Sequence, residues 1–189
     1  PMTLTSASIG GGASSTHSRN PSDFYPTPKE CTIALLERYG SLFEGRKVWE
    51  PACGDGAISK VLQDEGYYVA SSDLHDRGFG NSGEDFLTTR KPCEAIITNP
   101  PFNVADKFIE HASSFGVPFA MLLKSQYWHA AKRTGLFNRY RPFSVMAMAW
   151  RPSMAPDRGK SGTMDFCWTV WMDKPSVLTS YWVQERPVL

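Results

Sequence analysis

The spacing of apolar positions changes along this chain, and the changes mark its elements. After Thr27-Pro28-Lys29-Glu30, apolar residues fall at helical spacing at Cys31, Ala34, Leu35 and Leu36. Thr27 reads as the helix N-cap, Pro28 as its first residue, Glu30 as the partner in a capping box, and Gly40 as a left-handed stop. Lys47 to Glu50 then predicts a short buried strand, Ala57 to Glu65 a helix ending at Gly66, and Tyr67 to Ser71 a strand leading to Asp73. Glu94 to Thr98 predicts a further strand that ends at Asn99. Val104 to Phe115 predicts a helix with Phe108, Ile109 and Ala112 on one face, and Val117 to Leu123 a continuous apolar strand. Ser125 to Tyr140 reads as helical with an interruption at Gly135. Ser144 to Trp150, Phe166 to Met172 and Val177 to Val183 read as strands.

Strands that are apolar throughout and alternate with helices predict an α/β fold. Its sheet is mainly parallel and covered on both faces, and the late strands form an antiparallel edge. Residues 1–22 are rich in Ser, Gly, Thr and Asn and lack aromatics, so they read as a flexible arm. Residues 23–189 read as a single domain.

Composition changes this picture little. The chain has 189 residues with Lys+Arg 20 against Asp+Glu 19, a net charge of +1. That balance excludes a strongly basic nucleic-acid coat but not a local basic patch. No apolar run approaches the ~20 residues of a membrane helix, and the N-terminus does not read as a signal peptide. Cys31, Cys53, Cys93 and Cys167 are widely spaced, as are the four histidines. Neither a disulfide framework nor a metal site is expected, and scattered thiols fit a cytoplasmic protein.

In open parallel sheets, ligands bind beyond the carboxyl ends of the strands. Glu50, Asp73 and Asn99 all fall at such ends. Glu50-Pro51-Ala52-Cys53-Gly54-Asp55-Gly56 links a strand to a helix, and its glycines permit a tight turn and close approach by a ligand. Ser59 stands where a dinucleotide fingerprint needs its third glycine. An acid at the head of the turn suits a cationic ligand that carries an amino acid and a ribose, such as S-adenosylmethionine. Asp73, one β-α-β step later, can accept from both ribose hydroxyls. A plain strand-turn-helix would also carry such glycines.

The second motif is Asn99-Pro100-Pro101-Phe102. The two prolines fix a rigid turn and withdraw donors, leaving the Asn99 oxygen and the Pro100 carbonyl as acceptors on one rim. That rim suits an exocyclic amine with two N–H donors. Accepting both draws the nitrogen toward tetrahedral and points its lone pair at an electrophile. Phe102 offers a flat face to an extruded base, although an ordinary turn with a core Phe reads the same way.

Together, Tyr25-Pro26-Thr27-Pro28, Glu50-Pro51-x-x-Gly54-x-Gly56 and Asn99-Pro100-Pro101-Phe102 resemble the phage-type DNA N6-adenine methyltransferases over roughly Asp23 to Asp173. The order resembles the class in which cofactor motifs precede the catalytic one. The resemblance implies a Rossmann-like class I S-adenosylmethionine-dependent methyltransferase fold and methyl transfer to N6 of an extruded adenine in DNA, duplex ahead of single strands, in the cytoplasm of a bacterial host. Tyr25, Pro26 and Thr27 would line the methionine end of the cofactor, with Glu50, Pro51, Gly54 and Gly56 forming the turn beside it. Asp73 would hold the ribose, Asp85 would accept from the cofactor's adenine amine, and Phe86 would lie beside it. Asn99, Pro100, Pro101 and Phe102 would be catalytic. Phe166 to Trp171 resembles a late family motif. The reaction would be direct in-line displacement.

The residues after Phe102 are needed for the sheet, so no separate target-recognition domain is expected. Sequence reading then comes from loops or from a second subunit, or is weak; the best candidate is Trp128 to Asp165, with Lys132, Arg133, Arg151, Arg158 and Lys160 as phosphate-binding candidates. The same stretch also reads as a solvated helix face and a loop. Tyr127 and Trp128 read equally as base-stacking or core residues. An RNA adenine is the nearest alternative acceptor. Protein-glutamine methyltransferases share the Asn-Pro-Pro turn but resemble Asn-Pro-Pro-Tyr and carry an N-terminal helical domain. A catalytically silent nucleic-acid-binding protein is the rival from another class, and the intact Asn99 motif argues against it. The oligomeric state stays open, a dimer included.

Overall fold

The structure, a computed structural model, describes residues 24–154, 162 and 164–189. The expected arm over residues 1–22, and Arg158 and Lys160, lie outside the described residues.

One seven-stranded sheet organises the chain. β1 (Lys47–Glu50), β2 (Tyr68–Ser71), β3 (Ala95–Thr98) and β4 (Phe119–Lys124) are parallel. β5 (Ser144–Met148), β6 (Phe166–Trp171) and β7 (Ser180–Gln184) follow, in the order β2-β1-β3-β4-β6-β5-β7. Antiparallel pairing comes from the late strands, as the sequence predicts. The antiparallel strand is not at the edge, however: β6 runs against both β4 and β5 and lies two places inside the sheet, while β7, the outermost strand, pairs parallel to β5. From β1 the chain steps to β2 on one side and to β3 on the other. The strand order therefore reverses between β1 and β3, which opens a crevice above their carboxyl ends.

Strict alternation explains the continuous apolar strands. Val48, Ile97, Ala120, Leu122, Met146, Trp168 and Val170 face one layer with Cys31, Leu35 and Phe43 of α1 (Lys29–Phe43) and Ile58 and Leu62 of α2 (Ala57–Asp64). Trp49, Ile96, Phe119, Met121, Leu123 and Trp171 face the other, with Phe108, Ile109 and Ala112 of α3 (Ala105–Ser113). Phe119 and Trp171, opposite each other on β4 and β6, stack with centroids 4.6 Å apart. Both faces of the central strands are covered, so nearly every position of β3, β4 and β6 is a core position, while the edge strands β2 and β7 stay largely open.

Three local expectations are corrected. Pro28 is the N-cap of α1 and no side chain caps the helix. The Thr27 hydroxyl is turned to Asn99, and Glu30 pairs with Arg186 at 2.8 Å. Gly40 does not stop α1, which runs on to Phe43. A Cβ at Gly40 would lie 2.9 Å from the Tyr67 hydroxyl, which donates to the Gly40 carbonyl at 3.1 Å. This glycine therefore serves close approach, and the left-handed turn falls at Gly45 (φ +71°). Finally, residues 125–140 form two short 3₁₀ turns, Ser125–Trp128 and Ala131–Arg133, and then α4 (Thr134–Arg139). Gly135 lies inside α4, and the break falls at His129-Ala130.

Candidate active site

A cleft of about 340 Å³ opens above the carboxyl ends of β1, β2 and β3, within the roughly 300–1,000 Å³ of small-molecule sites. Four segments form it: the turn after β1, the loops after β2, the Asn99–Phe102 turn after β3, and the extended segment Phe24–Thr27 that crosses over them.

The turn after β1 depends on two left-handed glycines. Gly54 has φ +57°, and a Cβ there would run into the Phe24 ring. Gly56 (φ +82°) is the N-cap of α2 and is covered by Phe79, whose ring lies 2.5 Å from where a Cβ would stand. Gly56 therefore shapes the turn but does not itself line the cleft. Asp73 ties this turn to the next loop. One of its carboxylate oxygens accepts from the Gly54 N–H at 2.9 Å and the other from the His75 N–H at 2.8 Å. Each oxygen keeps a second lone pair for a ligand hydroxyl.

Glu50, at the floor, is buried and accepts from the neutral hydroxyl of Ser59, which in turn bonds Ser71 at 2.6 Å. Burial pushes the Glu50 carboxyl well above the usual carboxylate range. The Ser59 hydrogen bond opposes that shift, and Asp55 and Asp73 add to it. A cation bound beside Glu50 would reverse the balance.

Asn99 forms the opposite rim. Its amide nitrogen donates to Thr27 Oγ1 at 3.0 Å and reaches the Tyr25 carbonyl at 3.5 Å. Its oxygen, Oδ1, is buried with no partner among the described residues. Pro100 is buried, and Phe102 is half-buried among aromatic neighbours. The Tyr25 ring stacks on Phe102 with centroids 5.9 Å apart and planes 24° apart, and Phe166 tilts against it at 5.9 Å. Lys124 Nζ, from the end of β4, stands 3.9 Å from the centre of the Phe102 ring.

No family profile and no curated protein matches this sequence. Solved structures do. A Listeria monocytogenes protein, provisionally described as a class I S-adenosylmethionine-dependent methyltransferase, superposes at TM-score 0.61 and 12% identity over 83% of this chain and 65% of its own. A Pyrococcus horikoshii protein, provisionally described as an RNA methyltransferase, does so at 0.61 and 15%, over 78% of this chain and 86% of its own. The modification subunit of a provisional type I restriction enzyme from Vibrio vulnificus YJ016 does so at 0.58 and 13%, over 90% of this chain and 48% of its own. The fold is that of the class I methyltransferases. This chain spans about two thirds of the Listeria protein and about half of the Vibrio one.

Within that fold, the expected residues divide into groups. Tyr25, Pro26, Thr27, Glu50, Pro51, Gly54, Asp73, Asp85, Phe86 and Asn99 to Phe102 all line the one cleft. Asp85 folds its own loop, accepting from the Leu87 N–H at 2.9 Å. Phe86 reaches the cleft from an aromatic cluster with Trp49 and Phe108, at centroid distances of 5.2 and 4.7 Å. Lys132, Arg133 and Arg151 do not line it. Lys132 is exposed. Arg133 lies 3.7 Å over the Tyr127 ring and donates to the Tyr127 carbonyl, while Arg151 pairs with Asp165 at 2.8 Å. Tyr127 is buried and Trp128 stacks on Phe137 at 4.0 Å, so both are packing residues here. Sequence reasoning missed Phe24, His75, Arg77 and Lys124. Phe24 adjoins the Tyr-Pro-Thr-Pro motif and could have been drawn from it. The Arg77 guanidinium, 4.1 Å over the Phe24 ring, had no local signal.

Proposed function

We propose that this protein transfers a methyl group from S-adenosylmethionine to the N6 amine of an adenine in DNA. The observation that carries this reading is Asn99 Oδ1, a buried acceptor without a partner at the rim of the cleft. A buried acceptor left unmatched is costly, and an amine donor presented there would satisfy it.

The residues of the cleft also fit the cofactor. Its volume suits a nucleoside-sized ligand, Glu50 is a buried acid that a cation would ionise, and Asp73 keeps lone pairs for ribose hydroxyls. When bound, S-adenosylmethionine supplies a methyl group on a sulfonium, already a good leaving group. The chain's own part is orientation and polarisation. Asn99 Oδ1 and the Pro100 carbonyl accept the two hydrogens of the amine, which turns the nitrogen lone pair out of the base plane. Phe102 and Tyr25, stacked at the rim, give the extruded base an aromatic surface. The surplus proton passes to solvent, so no strong base is required.

Nucleoside mass spectrometry tests the reading. The protein and S-adenosylmethionine are incubated with unmethylated duplex DNA, single-stranded DNA or RNA, and the digests are searched for N6-methyladenine. The expected result is a signal from DNA that disappears in Asn99→Ala, while calorimetry shows cofactor affinity within about threefold of wild type. A signal from RNA alone would move the substrate to RNA. Loss of cofactor affinity in Asn99→Ala equal to the loss of transfer would remove Asn99 from the acceptor side.

A further inference from the structure

The Asn99 amide faces a choice that decides the chemistry of the rim. Turned one way, it presents an acceptor to the cleft. Turned the other, it presents two donors, and an incoming amine would meet N–H against N–H. The strap that crosses above Asn99 settles this choice. The Tyr25 carbonyl can only accept, so only the amide nitrogen can face it, and the same nitrogen donates to Thr27 Oγ1 at 3.0 Å. Oδ1 is thereby turned away from the strap, buried and without a partner among the described residues, in a side chain that lines the cleft.

The sequence of the strap suits this task. Pro26 and Pro28 each restrict the residue before them to extended backbone, which fixes Tyr25 and Thr27 on an extended rail. Pro26 has no N–H to compete for an acceptor. Thr27 is β-branched, stiff at χ1 and 6% exposed, so its hydroxyl is held in one place. Its oxygen meets Asn99 and not the helix, whose N-cap is Pro28, a residue with no side-chain acceptor.

We infer that Thr27 is a positioning residue: its hydroxyl holds the Asn99 amide in the orientation that the Tyr25 carbonyl selects, which leaves Oδ1 for the acceptor amine. The inference rests on the methyl-transfer reading and goes beyond the cofactor-lining role that the Tyr-Pro-Thr-Pro resemblance implies.

The test compares Thr27→Val, which keeps the shape and removes the oxygen, with Thr27→Ser, which keeps the oxygen. Transfer is measured at saturating S-adenosylmethionine and DNA, cofactor affinity by calorimetry, and the Asn99 side-chain NH₂ by ¹H–¹⁵N NMR, assigned through its loss in Asn99→Ala. Thr27→Val is expected to lower kcat roughly 10- to 100-fold and to shift the Asn99 NH₂ signals. Thr27→Ser is expected to bring kcat back to within about threefold and to restore the signals. A Thr27→Val loss confined to cofactor affinity, with kcat at saturation unchanged, overturns the inference, as does a kcat loss that serine does not recover. If wild-type protein methylates no nucleic acid, the function reading fails by itself. The NMR comparison then still decides the lock: signals that move with valine and return with serine uphold it, and signals that do not move overturn it.

Discussion

Removing the Asp73 side chain should loosen the whole cleft, because this one carboxylate joins two of its walls. Its oxygens accept from the Gly54 N–H in the turn after β1 and from the His75 N–H in the loop after β2. Asp73→Ala leaves both donors without their partner. An orphaned buried donor costs roughly 1–3 kcal/mol. The Gly54 bond is buried and the His75 bond only partly so, which puts the sum at about 2–4 kcal/mol. With a urea m-value of about 2 kcal/mol/M, the unfolding midpoint falls by about 1–2 M. Asp73→Asn keeps one acceptor but sets an NH₂ against the other donor, so it should recover only part of the loss. Urea unfolding followed by tryptophan fluorescence measures stability, and calorimetry measures S-adenosylmethionine affinity in parallel. Both variants should bind the cofactor more weakly. A midpoint for Asp73→Ala within about 0.3 M of wild type would refute the clamp. If affinity also stayed unchanged, Asp73 would have no part in the site.

Two further expectations concern the same cleft. The folded protein holds the Glu50 proton more tightly than the unfolded chain. Its contribution to stability is therefore full below the ordinary glutamate range, about 4.3, and is lost as pH rises through the raised folded value. Glu50→Gln should flatten the profile of Tm against pH above that range and weaken S-adenosylmethionine binding, and a profile parallel to wild type would show that Glu50 is not held protonated. Gly54→Ala and Gly66→Ala both force a left-handed alanine, at φ +57° and +85°, but only the Gly54 methyl meets a neighbour, the Phe24 ring. Gly66→Ala should cost about 1–2 kcal/mol and Gly54→Ala visibly more, with weaker cofactor binding in Gly54→Ala alone. Equal shifts in Tm would show that Phe24 does not rest on the turn.

Much of this was legible in the sequence because burial on both faces writes itself into local pattern. The stretch Lys47 to Glu50 and the apolar runs of β3 and β4 could be read as strands, since a two-sided core leaves no polar alternation. The polar residues Glu50, Asp73 and Asn99, at the ends of β1, β2 and β3, then fell at the carboxyl ends of parallel strands. The internal structure of residues 125–140 was harder to read. Tyr127 and Trp128 anchor short 3₁₀ turns by packing against Arg133 and Phe137, and no helical period records such contacts.

By itself, the sequence determined the α/β architecture, the order of the motifs and the gathering of the site at the strand ends, because each follows from spacing along the chain. Only the tertiary structure decided how individual polar atoms are used. Thr27 looked like a cap but meets Asn99, 72 residues away. Asp73 looked like a ligand for a ribose, and in the fold it holds Gly54, 19 residues back. Gly40 looked like a helix stop but makes room for Tyr67, 27 residues on. A hydroxyl, a carboxylate and a bare α-carbon can each satisfy a local role or a distant one. The choice falls to the partner that the crossovers of the sheet bring within reach.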